Sequence, residues 1–273
     1  MLNTIVSVIV PTKNSSKTLD SCLKSIKDQT YKYIEIILVD NFSNDDTLKI
    51  AKKYTKELYS KGPERSAQRN YGVDMSNGKY VFIIDSDMNL SPEVVEQCVN
   101  EISNKGVNGV VVPEESFGEG FWAQCKKLER SFYIGVPYME AARFFRKSDF
   151  LSVNGYDEKM VSGEDWDLSQ RIKKKGIFNN TKALIYHNEG RISLLKTLRK
   201  KIYYAKLFAR YAKESRNKDS LSQQTNIIGR YLLFFSKPKK LFKKPILGIG
   251  MLFMKTCEFF FGGIGYLIAK INK

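Results

Sequence analysis

The chain has 273 residues, 45 of them Lys or Arg and 29 Asp or Glu, for a formal net charge of +16. Only 19 of the basic and 3 of the acidic residues lie beyond residue 190, so the first 190 residues balance at 26 of each and the last 83 carry the whole excess. That placement argues against a uniformly basic nucleic-acid-binding domain, and 42% hydrophobic with 27% charged residues is the composition of a globular chain, not a disordered one.

The predicted elements alternate between strand and helix. Val6–Val10 is a short β-branched run that ends at Pro11. Leu19, Cys22, Leu23 and Ile26 recur at helical spacing, with Ser15 or Ser16 as the expected cap. Ile34–Val39 reads as a second strand and Asp45–Tyr54 as a helix with acidic residues at its positive end. Tyr80–Ile84 is a third strand, Ser91-Pro92 a helix start, and Val107–Val112 a fourth strand. Strands apolar on both faces and separated by helices predict an α/β fold, a mostly parallel sheet flanked by helices. A helix is expected over Trp166–Lys175, and Leu184-Ile185-Tyr186 is a strand ending at His187.

Four scattered cysteines (Cys22, Cys98, Cys125, Cys257) and a single histidine argue against a zinc knuckle and suit a reducing compartment. The apolar run Ile5–Val10 has no basic leader, unlike a signal peptide, so the chain is expected in the cytosol or on the cytosolic face of a membrane.

In a parallel sheet, ligands bind beyond the carboxyl ends of the strands. The segments to read are therefore Pro11-Thr12-Lys13-Asn14, Asp40-Asn41 and Asp85-Ser86-Asp87. Two carboxylates at i and i+2 on a strand end suit Mg²⁺ or Mn²⁺ bridging a diphosphate, together with a ribose hydroxyl; a solvated turn is the competing reading. Asp40 suits a nucleobase N–H or a ribose hydroxyl, while Ser43, Asn44 or Asp45 suit helix capping.

Taken together, Val8-Ile9-Val10-Pro11-Thr12-Lys13-Asn14, Leu38-Val39-Asp40-Asn41-Phe42-Ser43-Asn44-Asp45-Asp46-Thr47, Arg69-Asn70-Tyr71-Gly72 and Ile83-Ile84-Asp85-Ser86-Asp87 resemble, in order and spacing, the family 2 glycosyltransferases. Gly155-Tyr156-Asp157-Glu158 with Gly163-Glu164-Asp165-Trp166-Asp167-Leu168 resembles that family's acceptor-side motif, so the likeness spans residues 5 to about 187. The resemblance implies a glycosyltransferase-A fold, a nucleotide-diphospho-sugar donor, a divalent metal and inversion at the anomeric carbon. It implies that Pro11, Thr12 and Asn14 lie beside the nucleotide, Asp40 binds the base, and Arg69 and Asn70 lie near the donor. Asp85 would face ribose and metal, Asp87 would ligate the metal, and Asp165, paired with Glu164, would be the catalytic base. His187 stands between metal ligand and structural histidine. Asp40-Asn41-Phe42-Ser43 departs from the commoner Asp-Asp-Gly-Ser.

A hydroxyl acceptor needs a base, whereas a polyprenyl phosphate is largely ionised already. Glu164-Asp165 therefore leans toward a hydroxyl acceptor over a polyprenyl-phosphate sugar synthase. A sugar nucleotidyltransferase would carry a Gly-rich basic loop where this chain has Pro11-Thr12-Lys13-Asn14. Arg130, Arg143 and Arg146 suit either an acceptor phosphate or surface pairing with Glu129 or Glu140.

The expected division is a catalytic domain over 1–190 and a basic, amphipathic helical extension over 191–273. A helix is predicted over Ile192–Ser215, then the basic run Lys237–Lys244, then the apolar stretch Ile246–Ala269. Lys255, Glu258 and five glycines argue against a span and predict two shallow helices in an anionic membrane surface. A helical subdomain with a solvated basic face is the competing reading, and the charge lacks the aromatic platform of a nucleic-acid binder. The expected acceptor is a lipid-linked glycan or polyprenyl carrier.

Overall fold

A computed structural model describes residues 4–214 and 218–271. The chain runs β1 (Val6–Thr12), α1 (Leu19–Lys27), β2 (Ile34–Asp40), α2 (Thr47–Ala51), β3 (Leu58–Ser60), α3 (Arg65–Asp74), β4 (Tyr80–Ile83), β5 (Met88–Leu90), α4 (Val94–Ile102) and β6 (Val107–Val111). It continues through β7 (Glu114–Glu119), α5 (Phe121–Ser131), β8 (Phe144–Arg146), α6 (Lys147–Ser152), α7 (Glu164–Lys173), β9 (Ile177–Asn180) and β10 (Ile185–Arg191). Five helices follow: α8 (Leu194–Glu214), α9 (Lys218–Thr225), α10 (Ile227–Phe235), α11 (Pro238–Leu241) and α12 (Pro245–Ile271).

Two compact units result. The first comprises Met1–Pro113, Ala141–Lys159 and Glu164–His187, the second Glu114–Glu140, Met160–Gly163 and Asn188–Lys273. The expected boundary at residue 190 therefore needs a correction, because the second unit also takes in Glu114–Glu140. The reason is apolar burial: Cys125 and Phe132, from that insert, share one cluster with Phe234, Leu241, Met251 and Met254.

The first unit is built on a seven-stranded sheet of order β3-β2-β1-β4-β8-β6-β9. It is parallel except for β8, which runs antiparallel to both β4 and β6. Alternate residues of β1 enter opposite layers. Val6, Val8 and Val10 join α1 and α4 in one cluster, and Ile9 joins Val73 of α3 and Leu168 and Ile172 of α7 in the other. Burial on both faces explains why these strands read as predominantly apolar runs. The four helical-spacing residues Leu19, Cys22, Leu23 and Ile26 are the buried face of α1. Its N-cap is Thr18, not Ser15 or Ser16, although Ser15 contributes its carbonyl to the Leu19 N–H.

Other boundaries shift. The helix expected over Asp45–Tyr54 is the single turn and a half of α2, and Glu164-Asp165 form the first turn of α7 instead of preceding it. His187 lies inside β10, not after it. In the second unit, α8 begins at Leu194, and Ser215 of the expected helix lies outside the described residues. The two shallow helices expected over 246–269 are one continuous helix, α12. Its glycines are tolerated because three of them meet neighbours closely: a Cβ at Gly250 would lie 2.4 Å from Phe121, and one at Gly265 2.4 Å from the Ile202 carbonyl. Close approach of α5 and α8 replaces the helix propensity that glycine lacks.

Candidate active site

Parallel pairing in register brings the ends of β1 and β2 together, Thr12 opposite Asp40. Asp40 is fully buried there. Its Oδ1 accepts from Thr12 Oγ1 at 2.8 Å and Ser43 Oγ at 2.6 Å, and its Oδ2 accepts from the Ser43 N–H at 2.7 Å. Asn14 extends this lacing: its N–H donates to Ser43 Oγ, and its Oδ1 accepts from the Asn44 N–H. Asp40, expected to meet the base, is thus the strut that ties the two strand-end loops, and Thr12 and Asn14 share that work. Pro11 is buried under it. Phe42 is the large apolar side chain that this loop presents to solvent, 73% exposed and at φ +51°.

Helix α3 carries the centre of the site. It packs against β1 and β2 so closely that a Cβ at Gly72 would lie 2.4 Å from Ile9 Cγ2. Gln68 Nε2 donates to the carbonyls of Thr12 and Val39, fixing the helix to both strand ends. The neighbouring Arg69 is fully buried. Its Nη2 donates to Asp85 Oδ1 at 2.6 Å, and its Nη1 donates to Asp165 Oδ1 at 3.1 Å and reaches Glu164 Oε1 at 3.5 Å. The guanidinium stacks over the Tyr156 ring, 5.1 Å from its centroid. The Tyr156 hydroxyl donates to Asp165 Oδ1 at 3.0 Å. Asn70 sits on the same helix, exchanging hydrogen bonds with the Tyr156 backbone that hold the Gly155-Tyr156-Asp157-Glu158 segment in place.

The electrostatics follow from this packing. Burial opposes the Arg69 charge, but Asp85, Asp165, Tyr156 and Glu164 outweigh it and keep the guanidinium protonated far above its ordinary range. Burial likewise pushes the Asp85 carboxyl up, yet Arg69, Arg143 and Arg65 hold it well below the usual carboxylate range. Glu164 goes the other way: burial and Asp165 raise it, against the pull of Arg69 and of Arg65, whose Nη2 lies 3.1 Å away. Arg143 belongs to the same cluster, 3.6 Å from Asp85 and 3.9 Å from Asp165, rather than to a surface pair. Arg130 pairs with Glu114 and Glu189 in the second unit, and Arg146 donates to the carbonyls of Ile102 and Val107.

Beyond Asp85, the chain turns into β5. Antiparallel pairing of β5 with β10 sets His187 opposite Met88, one residue from Asp87. The His187 Nε2 and Asp87 Oδ2 converge at 3.2 Å. Among the described residues, no group of three His, Cys, Asp or Glu side chains gathers for a metal, and Asp85 is turned to the arginines. One carboxylate and one imidazole fit a small divalent ion that keeps water and substrate phosphate oxygens in its shell.

The sheet ends therefore gather two workplaces: Asp87 with His187, and an arginine-centred cluster holding Asp85, Glu164 and Asp165. Tyr156 and Arg143 are the members that residue patterns understated; the Gly-Tyr-Asp block was the visible signal for the first. A solved mannosyltransferase of Pyrobaculum calidifontis, in complex with GDP-mannose and Mn²⁺, has the same fold, with a TM-score of 0.64 at 13% identity over 97% of this chain and 87% of that one. The architecture is that of a glycosyltransferase-A enzyme, an α/β nucleotide-sugar transferase. Glycosyl transferase family 2 matches residues 7–158, more than half of the chain, and the chain belongs to that family. A poly(ribitol-phosphate) β-N-acetylglucosaminyltransferase of Staphylococcus aureus, TarP, is 32% identical over 163 residues, 52% of this chain and 49% of that protein. A GalNAc(5)-diNAcBac-PP-undecaprenol β-1,3-glucosyltransferase of Campylobacter jejuni is 25% identical over 280 residues, 98% of this chain and 84% of that protein. The chain thus spans about half of the first relative and most of the second.

Proposed function

We propose that the chain transfers one sugar from a nucleotide-diphospho-sugar to a hydroxyl of a lipid-linked acceptor at the cytosolic surface of an anionic membrane, with inversion. The observation that carries this reading is the Arg69 bridge. One buried guanidinium joins Asp85, assigned here to the donor, to Asp165, assigned to the acceptor, through contacts of 2.6 and 3.1 Å. A donor seated against Asp85 therefore presents its anomeric carbon toward the carboxylate that must deprotonate the incoming hydroxyl.

The base is prepared by its neighbours. Arg69 and Tyr156 both donate to Oδ1 of Asp165, while Oδ2 lies 3.9 Å from Arg143, beyond hydrogen-bond length. Oδ2 is the oxygen assigned to take the acceptor proton, and the two donors fix its direction. Glu164, drawn to Arg65 and Arg69, keeps the pair of arginines in place. The loops tied by Asp40, Thr12 and Asn14 shape the nucleotide end, over Pro11. Asp87 and His187 would hold Mg²⁺ or Mn²⁺, which when bound supplies positive charge to the departing nucleoside diphosphate.

A near full-length likeness to a transferase named for an undecaprenol-linked acceptor supports the lipid-linked acceptor. The presence of a positioned base supports a hydroxyl over a polyprenyl phosphate, whose oxygen needs no deprotonation. The test is a panel of nucleotide-sugars with Mn²⁺ and a bacterial lipid extract, read by mass spectrometry. The new sugar is expected to stay joined to a second sugar in the glycan that mild acid releases from the lipid, with Asp165→Asn lowering turnover by about 10²–10⁴-fold. Unchanged transfer by that variant, or release of the new sugar alone as a monosaccharide by mild acid, would overturn the assignment.

A further inference from the structure

Helix α12 carries apolar side chains on its exposed face as well as on its buried one. Ile246, Ile249, Phe253, Phe260, Leu267 and Ile271 are 56–81% exposed. At 100° per residue they fall within an arc of about 60°, a single stripe along the helix. Across the helix from them, Met251, Met254, Lys255 and Glu258 are buried. The two charges on that inner face find partners within the unit. Lys255 Nζ donates to Glu129 Oε1 at 2.6 Å and to Glu258 Oε2 at 3.0 Å. Lys126 lies 2.8 Å from Glu129 and 3.3 Å from Glu258. A surface helix of a soluble protein turns its charges outward and its apolar side chains inward; α12 buries Met251 and Met254 but also buries Lys255 and Glu258 and leaves a second apolar stripe exposed.

The stripe has a flank of the same character. The hydroxyls of Tyr231 on α10 and Thr256 on α12 lie 2.6 Å apart, and Thr256 is exposed at the margin of the stripe. On α10, Ile228, Leu232 and Phe235 are 50–73% exposed. Between the two helices, Lys237, Lys239, Lys243 and Lys244 are all exposed. Apolar side chains flanked by a dense run of ammonium groups match the acyl and anionic headgroup layers of a bilayer.

We propose that residues 227–271 form the face by which the second unit lies in an anionic lipid bilayer, with α12 in the plane of the interface. The inference deepens the reading of a membrane-borne acceptor and rests on that reading for the choice of partner. An in-plane pose follows from the packing. Crossing the bilayer would carry α5 and α8, with Lys126, Glu129 and Lys201, into hydrocarbon alongside α12, because they pack on its inner face. A second copy is disfavoured as the occupant, since the one carboxylate among residues 227–271, Glu258, is buried, and the same face on another chain offers the lysines no anion.

Flotation of the full chain with phosphatidylcholine vesicles, with and without phosphatidylglycerol, tests the face. Binding is expected to the anionic vesicles and to fall when Lys237, Lys239, Lys243 and Lys244 become Gln, by roughly fivefold per lysine. The triple variant Ile249→Asp, Phe253→Asp, Phe260→Asp should lose flotation while keeping its circular dichroism and its transfer to a detergent-dispersed, short-chain acceptor. That last assay separates the two levels: loss of transfer in the unaltered chain would sink the acceptor reading, whereas undiminished flotation of the triple variant would sink the face. Depth-dependent quenching of a fluorophore at Ile246→Cys and at Ile271→Cys should place both ends at the same shallow level, about 5–10 Å into the headgroup boundary. Ends on opposite leaflets, or a dimer in solution that the triple variant dissociates without loss of flotation, would overturn the proposal.

Discussion

At the residue scale, Phe42 shows how one departure from a common pattern has two consequences of opposite sign. It stands where the family resemblance would place glycine, and it holds φ +51°, a conformation costing roughly 1–2 kcal/mol for a residue with a Cβ. Its ring is largely exposed beside the nucleotide loop, so little packing offsets that cost. An exposed aromatic at the donor end suits stacking on a nucleobase, worth roughly 1–3 kcal/mol. Phe42→Gly is therefore expected to leave stability unchanged or raise it by up to about 1 kcal/mol, after glycine's own entropy is charged against the relief. The same change should raise the KM for the nucleotide-sugar about tenfold and leave kcat within a factor of two or so. Steady-state kinetics with thermal unfolding decide it, and a lowered Tm with unchanged KM would show that the ring packs rather than stacks.

At the scale of elements, α3 is where function and packing meet. Gly72 lets the helix lie on β1 and β2; a methyl group there would press on Ile9 at 2.4 Å and Val39 at 3.1 Å. Both neighbours are β-branched and fully buried, so the helix must move instead. Gly72→Ala should cost about 1–3 kcal/mol, seen as a Tm lower by roughly 2–4 °C per kcal/mol. Because Arg69 rides on the same helix and locates Asp165, kcat should fall with it; full activity alongside the lowered Tm would show that Arg69 tolerates the shift. The same helix marks what the amino-acid pattern hides. β1, β2, β4 and β6 are legible because burial on both faces writes a predominantly apolar run. α3 buries Ser66, Gln68 and Arg69, so its inner face is polar and no apolar period announces it. The antiparallel insertion of β8 and the three-residue β5 are set by pairing across the fold, which local spacing does not encode. Asp40 was readable as important but not as internal, because its partners Thr12 and Ser43 meet it only after β1 and β2 pair.

At the scale of the whole molecule, the excess charge and the acidic pairing act together. Lys255 and Glu258 read in sequence as interruptions of an apolar stretch, yet they are partners of Glu129 and Lys126, more than 120 residues away along the chain. Burial pushes the Glu258 carboxyl up, but Lys126, with Lys201 and Lys255, holds it down at about 2; Glu129 lies well below its ordinary range for the same reason, Lys126 first. Depressed carboxylates contribute stability that is complete above their unfolded value, about 4.3, and is lost as pH falls through the folded one. The second unit is therefore expected to unfold between about pH 4.3 and about 2, helped by self-repulsion as 45 Lys and Arg lose their acidic counterweight. Lys255→Met removes a cation from two buried carboxylates, so they rise toward ordinary values and the transition should move to higher pH, with about 3–5 kcal/mol lost near neutrality. One tryptophan lies in each unit, Trp122 on α5 and Trp166 on α7, which makes the effect separable. In a Trp166→Phe background, acid titration of the Trp122 fluorescence should show the Lys255→Met midpoint raised; in a Trp122→Phe background, the Trp166 signal should move less. A Trp122 midpoint untouched by the substitution would mean that the cluster is neutralised from elsewhere and that the second unit does not depend on its buried pairs.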